Sequence, residues 1–155
     1  MFEKVSEKIK NSKKIVFVTG AGISQESGIP TFRGKDGLWR KYDPMQLATI
    51  DAFYDNPKLV WEWYEDRRKN ILNAKPNPGH KAIADLENYK KVIVLTQNID
   101  GLHQKAGSSN VLELHGSIIR IKCTSCDYQD NITSEFSSLP PKCVNCDKIL
   151  RPDVV

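Results

Sequence analysis

An apolar run that ends in a glycine turn, close to the start of the chain, constrains the fold most strongly. Residues 15–19, IVFVT, lead directly into the Gly-Ala-Gly turn of residues 20–22. Such a turn after a buried strand is typical of nucleotide-binding sheets, because glycines allow backbone amides to approach phosphates. The dinucleotide pattern G-x-G-x-x-G is broken at Gln25, however, and the segment continues to Phe32 and Arg33. The turn therefore predicts a phosphate-bearing ligand whose site also uses an aromatic ring and an arginine.

A second apolar run, KVIVLT at residues 91–96, predicts another buried strand. It is apolar almost throughout, as expected for a parallel sheet with helices on both faces. Helical patterns fill the interval over residues 59–72 and from Pro78, where Asn77 is the predicted N-cap. A short amphipathic helix is predicted before the first strand. Strands that alternate with helices predict an α/β fold.

Polar side chains follow the second strand just as the glycine turn follows the first. Gln97, Asn98 and Asp100 lie in the segment TQNIDGLHQKAG. Ligands of open α/β sheets bind beyond the carboxyl ends of the strands, so these side chains are predicted to face the same crevice as the turn. An Asn-x-Asp sequence is equally typical of a capped turn, and that alternative stays open.

The three histidines differ in the patterns that surround them. His80 lies at the start of a predicted helix and has the pattern of a structural residue, whereas His103 fits either a structural or a functional role. His115 lies in the segment LHGS, directly before a glycine. A functional role for His115 depends on whether its neighbours define a known site.

Four cysteines form two C-x-x-C pairs that are separated by sixteen residues, at Cys123, Cys126, Cys143 and Cys146. Two such pairs can close a tetrahedral shell, and four thiolates leave no open position, so the pattern predicts one structural zinc ion. Free buried cysteines and a redox C-x-x-C fit this spacing less well. A zinc ribbon that binds nucleic acid is a further alternative, but the module has few basic residues.

Composition bounds the remaining possibilities. The chain has 155 residues, 39% of them hydrophobic and 27% charged, with a net charge of +4. This predicts a globular protein with one ordinary domain, or with a core and a small appended module, and it does not imply nucleic-acid binding. The apolar runs are too short to cross a membrane, and the charged first residues lack a signal peptide, so a cytoplasmic location is predicted. The sequence does not indicate an oligomeric state.

In their order along the chain, GAGISQESGIPTFRG, TQNIDGLHQKAG, LHGS and the paired C-x-x-C motifs resemble the sirtuin family of NAD-dependent protein-lysine deacylases. The resemblance implies a Rossmann-like sheet with a zinc-ribbon module, NAD as a consumed co-substrate, and acyl-lysine proteins as substrates. It also implies a set of cofactor-binding residues, which are Gly20, Ala21, Gly22, Ser24, Pro30, Phe32, Arg33, Trp39, Gln97, Asn98, Ile99 and Asp100.

The resemblance further implies the reaction and its catalytic residues, His115, Asn98 and Asp100. The acyl-lysine carbonyl oxygen attacks the ribose carbon of NAD, and nicotinamide leaves. His115 then helps a ribose hydroxyl to attack the resulting imidate, since imidazoles exchange protons near neutral pH. The products are free lysine, nicotinamide and O-acyl-ADP-ribose.

A Tyr-x-x-Arg pair refines the predicted substrate. Tyr64 and Arg67 are three residues apart on a predicted helix, so their side chains share a face. A phenol and a guanidinium suit a terminal carboxylate. The pair lies where the desuccinylase and demalonylase branch of sirtuins has the same motif, and Ala48 matches a small residue of that acyl pocket. Arg68 lies about 100° further round the helix, so Arg67 is the predicted ligand.

The resemblance also predicts how the chain is divided. Residues 1–117 are the first part of the NAD-binding domain, with a helical insertion at about 34–78. Residues 118–149 are the zinc module, and residues 150–155 begin the return to a Rossmann domain whose second half is absent from this chain. Three alternatives remain: an inactive or partner-dependent fragment, a zinc-ribbon binding module, and an ADP-ribosyltransferase.

Overall fold

The computed structural model describes residues 2–33, 37–132 and 134–155. Its first elements are α1 (Phe2–Asn11), β1 (Lys14–Thr19), α2 (Ala21–Ser24) and a 3-10 turn (Gln25–Ser27). A helical segment follows, with a 3-10 turn (Leu38–Arg40), α3 (Pro44–Leu47), α4 (Ile50–Asp55) and α5 (Pro57–Asn73). Next come α6 (Pro78–Asp85), a 3-10 turn (Leu86–Asn88), β2 (Lys91–Thr96), α7 (Leu102–Ala106) and β3 (Val111–Glu113). The last elements are β4 (Gly116–Cys123), β5 (Gln129–Asn131) and β6 (Leu150–Val154). No helix in the described ranges is long and apolar enough to span a lipid bilayer.

Side-chain caps fix the start of the helices that carry the site. Asn77 caps α6 by accepting from the Gly79 amide at 2.9 Å, with Pro78 in the first turn, as the sequence predicted. Asn56 caps α5 in the same way, by accepting from the Leu59 amide at 3.1 Å. Because this cap precedes Pro57, α5 begins two residues earlier than the apolar pattern predicted.

The first sheet is parallel, with strand order β1-β2-β3. On one face Phe17, Val92, Val94 and Val111 pack with Ile83 of α6. Side chains alternate between the two faces of a strand. The other face is therefore built from residues that this packing leaves out, and three of its apolar side chains are 54%, 68% and 58% exposed: Val16, Val18 and Leu112.

The second sheet is antiparallel, with order β5-β4-β6, and packs with α5 in the main core. Trp61 of α5 is fully buried there, and its Nε1 donates to the carbonyl oxygen of Leu150 at 2.8 Å. Between the two sheets, the Ile118 amide donates to the Ile99 carbonyl at 3.0 Å. The helix α5 is thereby fixed against the second sheet, while its residues Tyr64 and Arg67 line a cavity.

Candidate active site

The carboxyl ends of β1 and β2 lie side by side. The parallel register pairs Thr19 with Thr96, and the Gln97 amide donates to the Thr19 carbonyl at 2.9 Å. The glycine turn and the polar segment that begins at Gln97 therefore leave the sheet at one edge, where ligands of open α/β sheets bind.

Three buried side chains, Ser24, Asn98 and Asp100, form a hydrogen-bonded polar network at this edge. The Ser24 hydroxyl donates to Asp100 Oδ2 at 2.6 Å, and Asn98 Nδ2 donates to Ser24 Oγ at 3.0 Å and to the Gly20 carbonyl at 3.1 Å. Asp100 Oδ1 accepts from the Leu102 amide at 2.9 Å, at the start of α7. The network links the two crevice segments and fixes the orientation of its own polar groups.

His115 lies between β3 and β4 with an exposed side chain. Its Nδ1 is 3.1 Å from the carbonyl oxygen of Gln97. A carbonyl oxygen only accepts, so Nδ1 carries a proton, and in the neutral ring Nε2 is then the nitrogen with the lone pair. The Val155 amide donates to the His115 carbonyl at 3.1 Å, which ties the histidine to the end of β6. The ring can therefore accept a proton at Nε2.

Two neighbouring cavities open at this edge, a small one of about 70 Å³ and a large one of about 500 Å³. The walls of the small cavity include the polar residues Ser24 and Asp100, together with Pro30 and Ile99. The large cavity also contains Gly22, Arg33, Ala48 and Tyr64. Six residues line both cavities: Ala21, Phe32, Arg67, Gln97, Asn98 and His115.

Arg67 is 9% exposed and contacts two aromatic rings. Its Cζ is 4.7 Å from the ring centroid of Phe32 and 4.6 Å from that of Trp63. Burial lowers the pKa of the guanidinium, and the nearby Tyr64 phenol opposes that shift. Arginine nevertheless stays charged in proteins. Arg67 makes no hydrogen bond or ion pair with any residue in the described ranges, and it lines both cavities.

The two arginines of α5, Arg67 and Arg68, have different surroundings, and Tyr64 lies beside the first of them. Burial raises the pKa of the Tyr64 phenol, although Arg67 and Arg151 oppose this, so the hydroxyl remains a donor at neutral pH. Arg68 instead donates to both carboxylate oxygens of Glu65, at 3.0 and 2.6 Å, in a buried pair. Only Arg67 of the two lines the large cavity, beside Tyr64.

Neighbouring protein atoms do not explain why glycines occupy positions 20 and 22 of the turn. A Cβ added to Gly22 would meet no atom within 4 Å, and one added to Gly20 would meet only Gln97 Oε1 at 3.9 Å. Gly20 also has extended φ and ψ angles of −138° and −169°, which other residues adopt. The space in front of Gly22 is therefore open to a ligand.

Two buried histidines lie beneath the crevice with their rings 4.9 Å apart. His80 Nδ1 accepts from the Asn77 amide at 3.4 Å, within the helix cap, which agrees with the structural role predicted for it. His103 Nε2 is 3.0 Å from the Thr19 hydroxyl, which in turn donates to the Thr96 hydroxyl at 2.9 Å. Burial lowers the pKa of both imidazoles, and Asp100 opposes the shift. The sequence left the role of His103 open and gave no signal for its contact with Thr19, 84 residues away.

The four cysteines form one compact cysteine cluster, whose sulfur atoms all lie within 4.8 Å of one another. The Cys123–Cys146 and Cys126–Cys143 sulfurs are 3.5 and 3.6 Å apart. A zinc ion with Zn–S bonds of about 2.3 Å would place tetrahedral sulfurs about 3.8 Å apart, which this cluster nearly matches. Backbone amides add support, because Ser125 donates to Cys123 Sγ. The donor set and its spacing fit a structural zinc ion.

One predicted site residue has no described side chain, and Trp63 is among the site residues that the sequence did not predict. The side chain of Trp39 lies outside the part of the chain that the structure describes, and only its backbone, in the 3-10 turn Leu38–Arg40, is defined. Trp63 was not predicted, although it lines the large cavity and contacts Arg67. Its position four residues before Arg67 on α5 is the signal that could have revealed it.

Residues 20–155 match the pattern of the Sir2 family. The NAD-dependent protein deacylase 1 of Caldanaerobacter subterraneus subsp. tengcongensis is 56% identical over 156 residues. The match covers 99% of this chain and 64% of that protein, so the chain spans less than two thirds of the relative's length.

Two solved structures share the architecture. A mutant Sir2 homologue in complex with ADP-ribose has a TM-score of 0.95 at 48% identity, over 100% of this chain and 63% of that one. A complex of a Sir2 homologue with NAD has a TM-score of 0.90 at 48% identity, over 99% of this chain and 60% of that one. The predicted sirtuin resemblance and Rossmann-like fold are thus confirmed, and the chain belongs to the Sir2 family.

Proposed function

We propose that this chain carries the catalytic and acyl-binding residues of an NAD-dependent protein-lysine deacylase. One observation supports this most directly. His115, with its Nε2 lone pair, lines the same two cavities as Asn98, whose amide is held by the polar network. NAD would be consumed, and the acyl group would leave as O-acyl-ADP-ribose.

The glycine turn is the proposed phosphate contact. Gly20, Ala21 and Gly22 would bring backbone amides to phosphates in the open space in front of Gly22, and Arg33, which lines the same cavity, would supply a cation. Guanidinium groups bind phosphates through paired hydrogen bonds. NAD would supply the electrophilic ribose carbon and its leaving nicotinamide. Phe32, which lines both cavities, would shield that carbon from water.

The polar network and His115 are the proposed catalytic groups. Asn98 and Asp100 are oriented by Ser24 and by the start of α7, so they need no rearrangement to hold polar groups of a ligand. Preorganised dipoles of this kind are more effective than mobile ones. His115 would accept the proton of a ribose hydroxyl at Nε2 while its Nδ1–H remains on the Gln97 carbonyl.

The proposed acyl group is succinyl or malonyl, with acetyl accepted less well. Arg67 is a buried cation without a carboxylate partner in the described ranges, and Tyr64 is a neutral donor beside it. A buried charge is costly unless it is paired, so an anionic acyl end would stabilise this wall of the cavity. The small side chain of Ala48 leaves room for a longer acyl chain.

The proposed division of the chain is the one that the sirtuin resemblance implies. Residues 1–117, with a helical insertion at about 34–78, would form part of the NAD-binding unit, residues 118–149 would bind one structural zinc ion, and residues 150–155 would lead back. The proposed location is the cytoplasm, since four cysteines without a disulfide are typical of a reducing compartment.

The test is a mass-spectrometric assay of this chain with NAD and matched succinyl-lysine and acetyl-lysine peptides. We expect NAD-dependent loss of succinyl to be the faster reaction. The double substitution Tyr64→Phe and Arg67→Met should reduce desuccinylation by roughly 10- to 100-fold, as expected for loss of a charge-assisted pair, and should spare deacetylation.

A thermal shift with NAD measures binding independently of turnover. A ligand at 100 times its Kd stabilises the folded state by about 2.7 kcal/mol. If NAD causes no thermal shift and the chain turns over neither peptide, the proposal for this chain is overturned. Equal losses on both peptides in the double variant would overturn the assignment of the acyl pocket.

A further inference from the structure

We propose that Trp63 is a positioning residue that sets acyl selectivity by holding the Arg67 guanidinium. The inference rests on the proposed function, since the ligand it selects is an acidic acyl group on lysine. Trp63 itself takes no part in bond making or breaking. Its contact explains how a long, flexible arginine is kept in one orientation.

The rings of Trp63 and Phe32 both contact the Arg67 guanidinium, and we call this arrangement the clamp. Arg67 Cζ lies 4.6 Å from the centroid of the Trp63 ring and 4.7 Å from that of Phe32. Both distances are within the range at which a cation is attracted to the face of an aromatic ring. Trp63 and Arg67 are four residues apart on α5, so they lie on one face of the helix.

The clamp determines where the guanidinium can bind a ligand. A guanidinium carries all its N–H donors in its own plane. The two ring contacts hold Cζ in place, and the N–H donors that point away from the rings are the ones left for hydrogen bonds to a ligand. Arg67 lines the large cavity together with Tyr64 and Ala48, so a carboxylate in that cavity can reach these donors. The arginine then loses little side-chain freedom on binding, because the rings have already restricted it.

Trp63 is itself held by its neighbours. Its ring meets Tyr64 edge-on with centroids 4.8 Å apart, and Tyr42 edge-on at 6.4 Å. It is buried, with 7% of its surface exposed. The indole therefore packs against both predicted acyl-binding residues, Tyr64 and Arg67.

The first experiment measures the clamp without requiring catalysis. In the NMR spectrum of this chain, the Arg67 Nε–H resonance should be displaced by ring currents. Trp63→Leu should move it toward the value of an ordinary arginine, and Trp63→Phe, which keeps an aromatic ring, should move it less. Tyr54→Leu is the matched control, because Tyr54 is an exposed aromatic that contacts Phe53 rather than Arg67. An ordinary Arg67 resonance in the unsubstituted chain would overturn the proposal.

The second experiment measures selectivity. Trp63→Leu should raise the KM for a succinyl-lysine peptide about tenfold, with kcat and both acetyl-lysine constants changed less than about twofold, the size expected for a desolvated cation–ring contact. Trp63→Phe should restore most of the succinyl KM. In the Arg67→Met background, Trp63→Leu should have no further effect on succinyl, because the two residues act as one.

Binding separates a failure of this inference from a failure of the proposed function. If the chain turns over neither peptide, calorimetry with the succinyl-lysine peptide still tests the clamp. A weaker affinity in Trp63→Leu, rescued by Trp63→Phe, would support it. Equal affinity in all three chains, or a KM that rises equally for both acyl groups, would overturn it.

Discussion

The two centres of this chain are held in place by opposite means. In the polar network, Ser24, Asn98 and Asp100 bond to one another and to nearby backbone groups, so the chain alone defines their geometry. In the cysteine cluster, four sulfurs lie within 4.8 Å of one another, and thiolates at that distance repel unless a cation lies between them. The crevice is therefore organised before its ligand arrives, whereas the cysteine cluster depends on its ion.

The difference has a structural consequence, because the ion-dependent centre supports the position of His115. Gly116 at the start of β4 pairs with Val154 of β6, and the Val155 amide bonds to the His115 carbonyl. Cys123, one of the four residues of the cluster, ends β4. Loss of the ion should therefore disturb the position of His115 but not the polar network.

Removal of the metal should have the largest effect. Structural zinc contributes about 10–16 kcal/mol of apparent binding energy in small zinc domains. We expect Cys143→Ser, or a strong chelator, to unfold the second sheet and to abolish turnover. Near-ultraviolet circular dichroism and zinc content measure this change. A chain that is folded and fully active without metal would contradict the prediction. Ser125→Ala is the control, since only its backbone amide contacts Cys123.

Loss of the proposed base should be the next largest effect, and it should leave both centres folded. His115→Ala removes the acceptor at Nε2, and general base catalysis contributes roughly 10²- to 10⁴-fold. We expect turnover to fall by about that factor while zinc content and the NAD thermal shift are kept. Turnover within a few fold of the unsubstituted chain would refute the assigned role, and lost zinc would show that the two centres are not separable.

The sequence predicted the parts of this comparison that depend on local patterns. The second strand was predicted at 91–96 and observed at Lys91–Thr96, and the Asn77 cap was predicted correctly, because apolar runs and caps are defined by neighbouring residues. The C-x-x-C spacing likewise predicted the cysteine cluster. The contact of Ser24 with Asp100 spans 76 residues, and only the parallel register brings these side chains together. The clamp around Arg67 depends on the loop that carries Phe32, so its geometry could not be predicted from α5 alone.

A change at the glycine turn should separate ligand binding from stability in the crevice. Gly22→Ala adds a methyl group to the space in front of α2 and meets no protein atom within 4 Å. We expect unchanged or slightly higher stability, by up to about 1 kcal/mol. NAD affinity should fall by roughly 10- to 100-fold, as for overpacking of about 1–3 kcal/mol.

The control for this change is Gly28→Ala. Gly28 has a φ of 82°, which is strained for alanine, and a Cβ there meets no atom within 4 Å. It should lower the free energy of unfolding without the loss of NAD affinity. Unaltered NAD binding in Gly22→Ala, measured by calorimetry, would contradict a phosphate contact at this turn.

The smallest expected effect is a dependence of stability on pH that arises beneath the crevice. Burial lowers the pKa of His80 and His103 below the ordinary value of 6.5, so the unfolded chain takes up protons at a higher pH than the folded chain. The contribution of these two imidazoles to stability is thus complete above about pH 6.5 and is lost as the pH falls through the lower pKa values of the folded state. Urea unfolding of the zinc-loaded chain at pH 7.5 and 5.5 should show a lower free energy of unfolding at the acid pH. The slope should flatten in His103→Asn, even if that variant is less stable at both values because its bond to Thr19 is lost. Zinc content must stay constant across the range, since protons also compete for thiolates. A flat profile with zinc retained would show that these histidines are as accessible to protons as those of the unfolded chain, and that the support beneath the crevice is looser than its hydrogen bonds indicate.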